Sequence, residues 1–533
     1  STFLPTDGTG LTAQYYQPTI AVHLTDWENC QYLVEGLNDG RSYRFPYAPQ
    51  GLTQAMSSQA IGYLKAPNNE AGDLFGSAVA ISGDGRTLVI GAQGEDSSSR
   101  GVNGSQTDNG ASRSGAAYVF VYEDGNWSLE AYLKASNADA DDQFGSSVAL
   151  SRDGNTLAVG ALFERSNATG VNGNQSDNSI ASAGAVYVFT RSGTSWSQQA
   201  YIKASNPGSG DFYSYALALS GDGNVLAVGA HAEDSDARGI NGDGSNNNST
   251  QSGACYVYGR QGSTWSQQAY IKAPNSDVQD QFGYGVALDF SGQILAVGSR
   301  FESSNAGING DQSNNATPGA GALFIYERQG STWAQTAYLK APTAGGDRAL
   351  GSSCAISDDG KTLAVGAKYD SSGATGVNGD ESDRSQSYSG ACYIFIHSGT
   401  DWSQQAYIKP SNTDADDNFG RKVSLSADGN VLAVATYLEE STATGINGDG
   451  TDNTATEAGA CYVFTRQGTT WSQKSYEKAP NTDSEDHFGE SIALNSDGQT
   501  LVVGAPYEDS AATGLGGNQS DNSASSAGAV YLY

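Results

Sequence analysis

The chain has 533 residues, 68 of them glycine, and its 27 Lys and Arg stand against 58 Asp and Glu for a formal net charge of −31. Such a field repels phosphate, which excludes nucleic acid as a partner and favours cations or basic partners. Charged residues make up 16% and there are 29 Tyr and 16 Phe against one Met, so the composition excludes a helical protein and predicts many short strands joined by polar turns.

In chain order, residues 1–57 come first. The runs CQYLVEGL and RSYRFPYA flank Asn38-Asp39-Gly40, which predicts a hairpin. The stretch around Asp26-Trp27 is similar to the end of a fibronectin type III-like module, so this segment is expected to be a partial module of that kind or a small cap. The opening STFLPTDGTG has neither the basic nor the apolar region of a secretion signal. No apolar run approaches the roughly 18–20 residues of a membrane span, so direct membrane insertion is not expected.

From residue 58 onward the chain repeats. Phe75, Phe144, Tyr213, Phe282, Leu350, Phe419 and Phe488 mark seven copies spaced by 69, 69, 69, 68, 69 and 69 residues, and Trp127, Trp196, Trp265, Trp333, Trp402 and Trp471 keep the same step. Each copy reads as four strands. In residues 144–205 they are FGSSVALS, an Asp153-Gly154 turn, NTLAVGA, a polar stretch of about twenty residues, then GAVYVFTR, a Ser-Gly turn and WSQQAYIKAS. Four antiparallel strands taken seven times is the arithmetic of a propeller, whose radial blades leave only short edges. A linear solenoid is the alternative. The last copy stops at GAVYLY without its fourth strand, while SQAIGYLKAP (58–67) is a fourth strand with no copy before it. The expected fold is therefore an all-β seven-bladed propeller over residues 58–533, closed by an N-terminal strand, with a small β segment at 1–57.

The pattern FG…SVA…DG…LAVGA…GAVYVF resembles the FG-GAP repeat of integrin α-chain propellers and of bacterial surface proteins. The resemblance implies a ring with the FG strand innermost. Integrin-type repeats usually hold calcium in a D-x-D-x-D-G loop between the first two strands. Here that connection is a two-residue turn, so that site is not carried over and its Asp residues are assigned to turn formation.

Up-and-down strand order brings the long loop between strands two and three to the same face as the connection to the next blade. The loops at 101–109, 170–178, 239–247, 307–315, 376–384, 445–453 and 514–522 open with Gly-Val-Asn-Gly or a close variant, and an acid precedes each by about six residues. Carboxylates, Asn carbonyls and glycine-bent backbone are the oxygen donors Ca²⁺ takes. The candidate ligands, copy by copy, are Glu95, Asn103 and Asp108; Glu164, Asn172 and Asp177; Glu233, Asn241 and Asp243; Glu302, Asn309 and Asp311; Asp370, Asn378, Asp380 and Asp383; Glu439, Asn447, Asp449 and Asp452; and Glu508 with Asp521. The competing reading is turn chemistry alone, with Asn and Asp bonding their own backbone.

A second acidic series, Asp73, Asp142, Asp211, Asp280, Asp417 and Asp486, stands two residues before the Phe-Gly position, with Asp347 shifted by one in the fifth copy. These acids either cap backbone N–H groups or bind calcium or a ligand. The repeated Trp and Tyr are expected in the core, with a carbohydrate platform as the alternative. Cys255, Cys392 and Cys461 replace a valine and read as small buried hydrophobes; the five cysteines form no disulfide framework. The four histidines share no spacing that pairs a base with a nucleophile, and no P-loop is present. The expected function is that of a non-catalytic extracellular or cell-surface protein whose acidic, calcium-ordered loop face binds a protein or glycan. A propeller lectin and a structural subunit of a larger surface complex are the alternatives.

Overall fold

The computed structural model describes residues 62–533, apart from Ala306, Ser331, Ala344 and Thr400, together with the backbone of five short strands within residues 2–45. The chain divides into two compact units, Ser1–Gln59 and Ala60–Tyr533. In the first unit, Thr2–Thr6 pairs with Gly10–Gln14, and Ala21–Asp26, Gln31–Glu35 and Tyr43–Phe45 form a three-stranded antiparallel sheet. The pairing of Val34 with Tyr43 and of Tyr32 with Phe45 is the hairpin expected across Asn38-Asp39-Gly40. The partial-module or cap reading, and Cys30, fall outside the described residues.

The second unit is seven four-stranded antiparallel sheets, and no helix occurs among the described residues. The second blade is representative: Phe144–Leu150, Thr156–Ala161, Ala185–Ser192 and Ser195–Ile202 lie side by side in that order. The turn between its first two strands is built as its sequence requires. Asp153 Oδ1 accepts the Ser151 hydroxyl at 2.5 Å and the Asn155 N–H at 3.0 Å, and Gly154 takes a φ of +69°.

The seventh blade is Ser491–Leu494, Leu501–Ala505, Ala529–Leu532 and, as its fourth strand, Gly62–Leu64, paired Val530 to Leu64 and Leu532 to Gly62. Closure of the ring thus uses the segment expected to close it. Blade seven also abuts blade one, since the Ser491 hydroxyl donates to the Gly76 carbonyl at 2.7 Å.

Blades stack through glycine and tryptophan. A Cβ on Gly91 would lie 2.0 Å from the Gly145 carbonyl oxygen of the next blade, so the close approach of neighbouring inner strands needs glycine there. At the outer edge the fourth strands of blades one to six carry a bulge, and in three cases the bulged residue accepts the next blade's indole: Trp196 Nε1 to Glu130 (2.7 Å), Trp265 to Gln199 (2.8 Å) and Trp471 to Gln405 (2.9 Å). Apolar clusters fill the spaces between blades, with Phe144, Tyr187, Phe189 and Trp196 in one of them. Cys255, Cys392 and Cys461 are free and fully buried within the apolar clusters. First-strand residues of all seven blades surround a central cavity of about 460 Å³, so the FG strand is innermost.

Candidate functional site

The long loops and the interblade connections share one face, as strand order requires. The Asn178 side chain on the loop of blade two donates to Asp139 in the connection before it at 2.9 Å, and Asn137 in that connection donates to the loop carbonyl of Gln175 at 3.2 Å.

Beneath each loop lies the acid that follows the second strand, and it is buried. Glu164 receives the Lys203 ammonium at 2.7 Å, the Tyr201 hydroxyl at 2.9 Å, the Asn137 amide at 3.0 Å and the Ser166 N–H at 3.2 Å, with both charged side chains fully buried. The same Lys–Glu pair recurs as Lys134–Glu95, Lys272–Glu233, Lys340–Glu302 and Lys478–Glu439 at 2.6–2.7 Å. In blade seven the lysine comes from the other end of the chain: Lys65 meets Glu508 at 2.6 Å and the Tyr63 hydroxyl donates to it at 3.0 Å. Burial, followed by the neighbouring glutamate, raises the Tyr132 and Tyr201 hydroxyls well above their ordinary value and keeps them as donors. Burial lowers Lys203, and the attraction of Glu164 opposes that shift.

The fifth blade reaches the same end with different residues. Its acid is the shorter Asp370, and Lys409 turns instead to the Ser389 hydroxyl and the Gly390 carbonyl. Arg348, fully buried, pairs with Asp370 and donates to the Tyr393 hydroxyl (2.8 Å), Thr343 (2.7 Å) and the Glu381 carbonyl (3.1 Å). Its partners match those of the connection asparagine in other blades. Asn412, for example, bonds Glu439, the Gly450 carbonyl and the Tyr462 hydroxyl. The guanidinium replaces an amide that Thr343 lacks.

This corrects the expectation that Asp347 continues the second acidic series. Its N–H bonds the Pro318 carbonyl as that of Asp141 bonds Ser112, and Arg348 holds the place of Asp142. The other members of the series are buried and accept the backbone N–H three residues earlier. Asp142 bonds Asp139 at 3.1 Å and Asp211 bonds Gly208 at 2.7 Å, the capping role anticipated for them. Burial pushes the carboxyls of Asp73, Asp142, Asp211 and Asp280 up to about 7 and those of Asp417 and Asp486 to about 8.

The loop asparagines clip the loop to the fourth strand. Asn172 has a φ of +57°, a left-handed conformation Asn tolerates; it donates its N–H to the Tyr201 carbonyl at 2.7 Å and accepts the Tyr201 N–H on Oδ1 at 2.9 Å. Asn103, Asn241, Asn309, Asn378 and Asn447 repeat both bonds. In the seventh copy Gly516 keeps only the backbone bond, to Tyr63.

The loop aspartates fall into two groups. Asp243, Asp311, Asp380 and Asp449 are exposed and accept the N–H two residues on, at 2.8–3.1 Å. Asp108, Asp177, Asp383, Asp452 and Asp521 are half-buried and make the same turn. Asp108, Asp383 and Asp452 also reach back to Ser98, Gly373 and Thr442.

The acid, the asparagine and the loop aspartate of each copy therefore have separate protein partners and are not gathered around one point. Among the described residues no group of three or more His, Cys, Asp or Glu is placed to hold a metal. A lysine, or Arg348 in blade five, already neutralises the buried acid, and a tyrosine N–H bonds the asparagine oxygen in six copies, so the carboxylates of this set left open to a cation are those of the exposed loop aspartates. The lysines are the residues that the sequence reading leaves without a role. Their signal is a cation repeating in step with an acid, 39 residues apart in the first three copies, in a chain poor in cations.

Fold and site together define a closed all-β repeat propeller with braced loops on one face. A model of the FG-GAP repeat matches residues 61–120, 127–189, 196–258, 402–464 and 471–533. The chain belongs to the FG-GAP repeat family, whose propeller serves binding or structural roles. The unmatched stretch at 259–401 contains blade four and the first three strands of blade five, with Arg348. No curated protein sequence matches the chain. Similar solved structures include the Cps50 (Swd1) β-propeller domain of Myceliophteria thermophila (10% identity, TM-score 0.46, covering 89% of this chain and 99% of that one). A chain in a crystal structure of the mitotic checkpoint complex gives 13% identity and TM-score 0.45 over 91% and 96%. The periplasmic gluconolactonase of Pseudomonas aeruginosa gives 13% identity and TM-score 0.43 over 85% and 93%.

Proposed function

We propose that this is a non-catalytic binding protein of the cell surface or extracellular space that presents the loop face to a basic protein partner. The observation that carries the reading is the bracing of the loops: a buried ion pair beneath and an asparagine clip at the edge hold a polar, acid-rich surface on a rigid ring. Rigid scaffolds with polar loops are where recognition concentrates, and a net charge of −31 steers cationic partners by long-range attraction. The resemblance to surface-protein repeats supports the location. Calcium enters this reading at the exposed carboxylates Asp243, Asp311, Asp380 and Asp449, where it would add to an order already supplied by hydrogen bonds.

The test is binding of immobilised Lys/Arg-rich peptides, run beside a neutral glycan array, with and without calcium. The expected result is salt-sensitive peptide binding that drops when those four aspartates become asparagine. Glycan binding unaffected by those changes would replace this reading with the lectin.

A further inference from the structure

The blades are interchangeable nearly everywhere except where they face the central cavity. Two residues after the Phe-Gly phenylalanine position stands serine in blades one, two and five, but Tyr215, Tyr284, Arg421 and Glu490 in the others. Directly after the second strand stand Gln93 and Leu162 in the first two blades, but His231, Arg300 and Lys368 in the next three. All seven blades fold alike, so the ring itself does not demand these departures.

The departures gather cations. Lys368, Arg421 and Lys422 line the cavity with one carboxylate, Glu490, among them. Arg421 Nη2 pairs with Glu490 at 3.0 Å, and its buried Nε has no partner. Lys368 is 5% exposed and meets no carboxylate; its ammonium lies 4.8 Å from the ring centroid of Tyr369 and 5.7 Å from that of Tyr284. Lys422 opens onto the cavity and also has no carboxylate partner. Arg300 stacks 3.9 Å over Tyr284. Lys368 is a buried cation without a counter-ion, which is costly, and it lies with the exposed Lys422 on this cavity in a chain with more than twice as many acids as bases. A volume of about 460 Å³ is that of a small-molecule site.

We propose that the central cavity binds a small oxyanion-bearing molecule, of about monosaccharide size, through Lys368, Lys422 and Arg421 with Tyr215 and Tyr284 alongside. The ligand supplies the negative charge that the protein omits. Burial, then Arg421, Arg300 and Lys422, hold the Lys368 ammonium down at about 7, opposed by Glu490, while the rings of Tyr284 and Tyr369 lie against it. A bound anion favours the protonated lysine, so binding takes up a proton and weakens as pH rises through 7.

Calorimetric titration and thermal melting of the full chain at constant ionic strength test this. The probes are glucuronate, inorganic phosphate and sulfate, with glucose as neutral control and chloride as background. The expected result is saturable binding of at least one oxyanion, tenfold or more tighter at pH 6 than at pH 9, and none of glucose. Glucuronate or phosphate as the tighter probe distinguishes a carboxylate from a phosphate ligand. Lys422→Gln and Lys368→Met are each expected to weaken binding at least tenfold while melting, anion-free, no lower than the parent, because each removes an unpaired cation. Equal affinity in the parent and Lys422→Gln, a response no larger than that to chloride, or an anion-free Lys368→Met midpoint several degrees lower would overturn the proposal.

Discussion

The space beneath the loops and the central cavity both bury charge, and they do so in opposite ways. Beneath the loops each acid is satisfied by a cation, a tyrosine and an amide, with Arg348 standing in for the amide in blade five. In the cavity Lys368 and Lys422 are left without a carboxylate, and the residues differ from blade to blade. Repetition within one chain thus marks what the ring requires, and its breakdown marks what the ring does not require.

Blade five offers the strongest way to break this comparison. Arg348→Asp removes the cation from Asp370 and sets a second carboxylate beside it, and is expected to destabilise the protein by more than the roughly 3–5 kcal/mol that follows loss of one partner from a buried pair. Adding Thr343→Asn and Asp370→Glu should recover most of that loss, since Asn412 and Glu439 make that arrangement in blade six. Chemical denaturation of the single and triple variants is the measurement; equal destabilisation of both would mean that the blades are not equivalent frames.

Next in size is Lys203→Met, expected to cost about 3–5 kcal/mol by leaving Glu164 buried and unpaired. Combined with Glu164→Gln, which removes the stranded charge, it should cost clearly less, a non-additivity that denaturant midpoints resolve.

A smaller effect is expected of Asn172→Ala, about 1–2 kcal/mol, from loss of the bond to the Tyr201 N–H and from placing alanine at positive φ. The readout is faster amide exchange confined to residues 170–178 and the end of the fourth strand.

Smallest at low pH is Asp142→Asn. The folded carboxyl titrates near 7 and the unfolded one near its ordinary 3.8. Between those values the unfolded chain has released a proton that the folded chain keeps, so the contribution is full below about pH 4 and is lost as pH rises through 7. The parent should therefore melt lower at pH 8 than at pH 5. Asn keeps the acceptor for the Asp139 N–H, so the variant should match the parent below about pH 4 and lose less between pH 4 and 8.

The ring was legible because its cause is local and repeated. The 69-residue step, the Asp-Gly turns and the fourth strand at 58–67 each state one element of the fold. The candidate acids were legible as a series but not as half of an ion pair, because Glu164 and Lys203 meet only when the second strand and the end of the fourth are folded side by side. Arg348 was hidden for a similar reason. Its role depends on the missing asparagine at Thr343 and the shortened acid at Asp370, three departures that become one when they share a site. The cavity cations are visible only when equivalent positions are compared across copies, since Lys368 has no motif of its own.

The most direct test of the account is to compare Lys65→Met with Lys203→Met in denaturant unfolding of the full chain. If the seventh junction is built like the internal ones, the two substitutions lower stability by the same amount within about 1 kcal/mol. A Lys65→Met protein as stable as the parent would mean that the chain's two ends do not complete a blade.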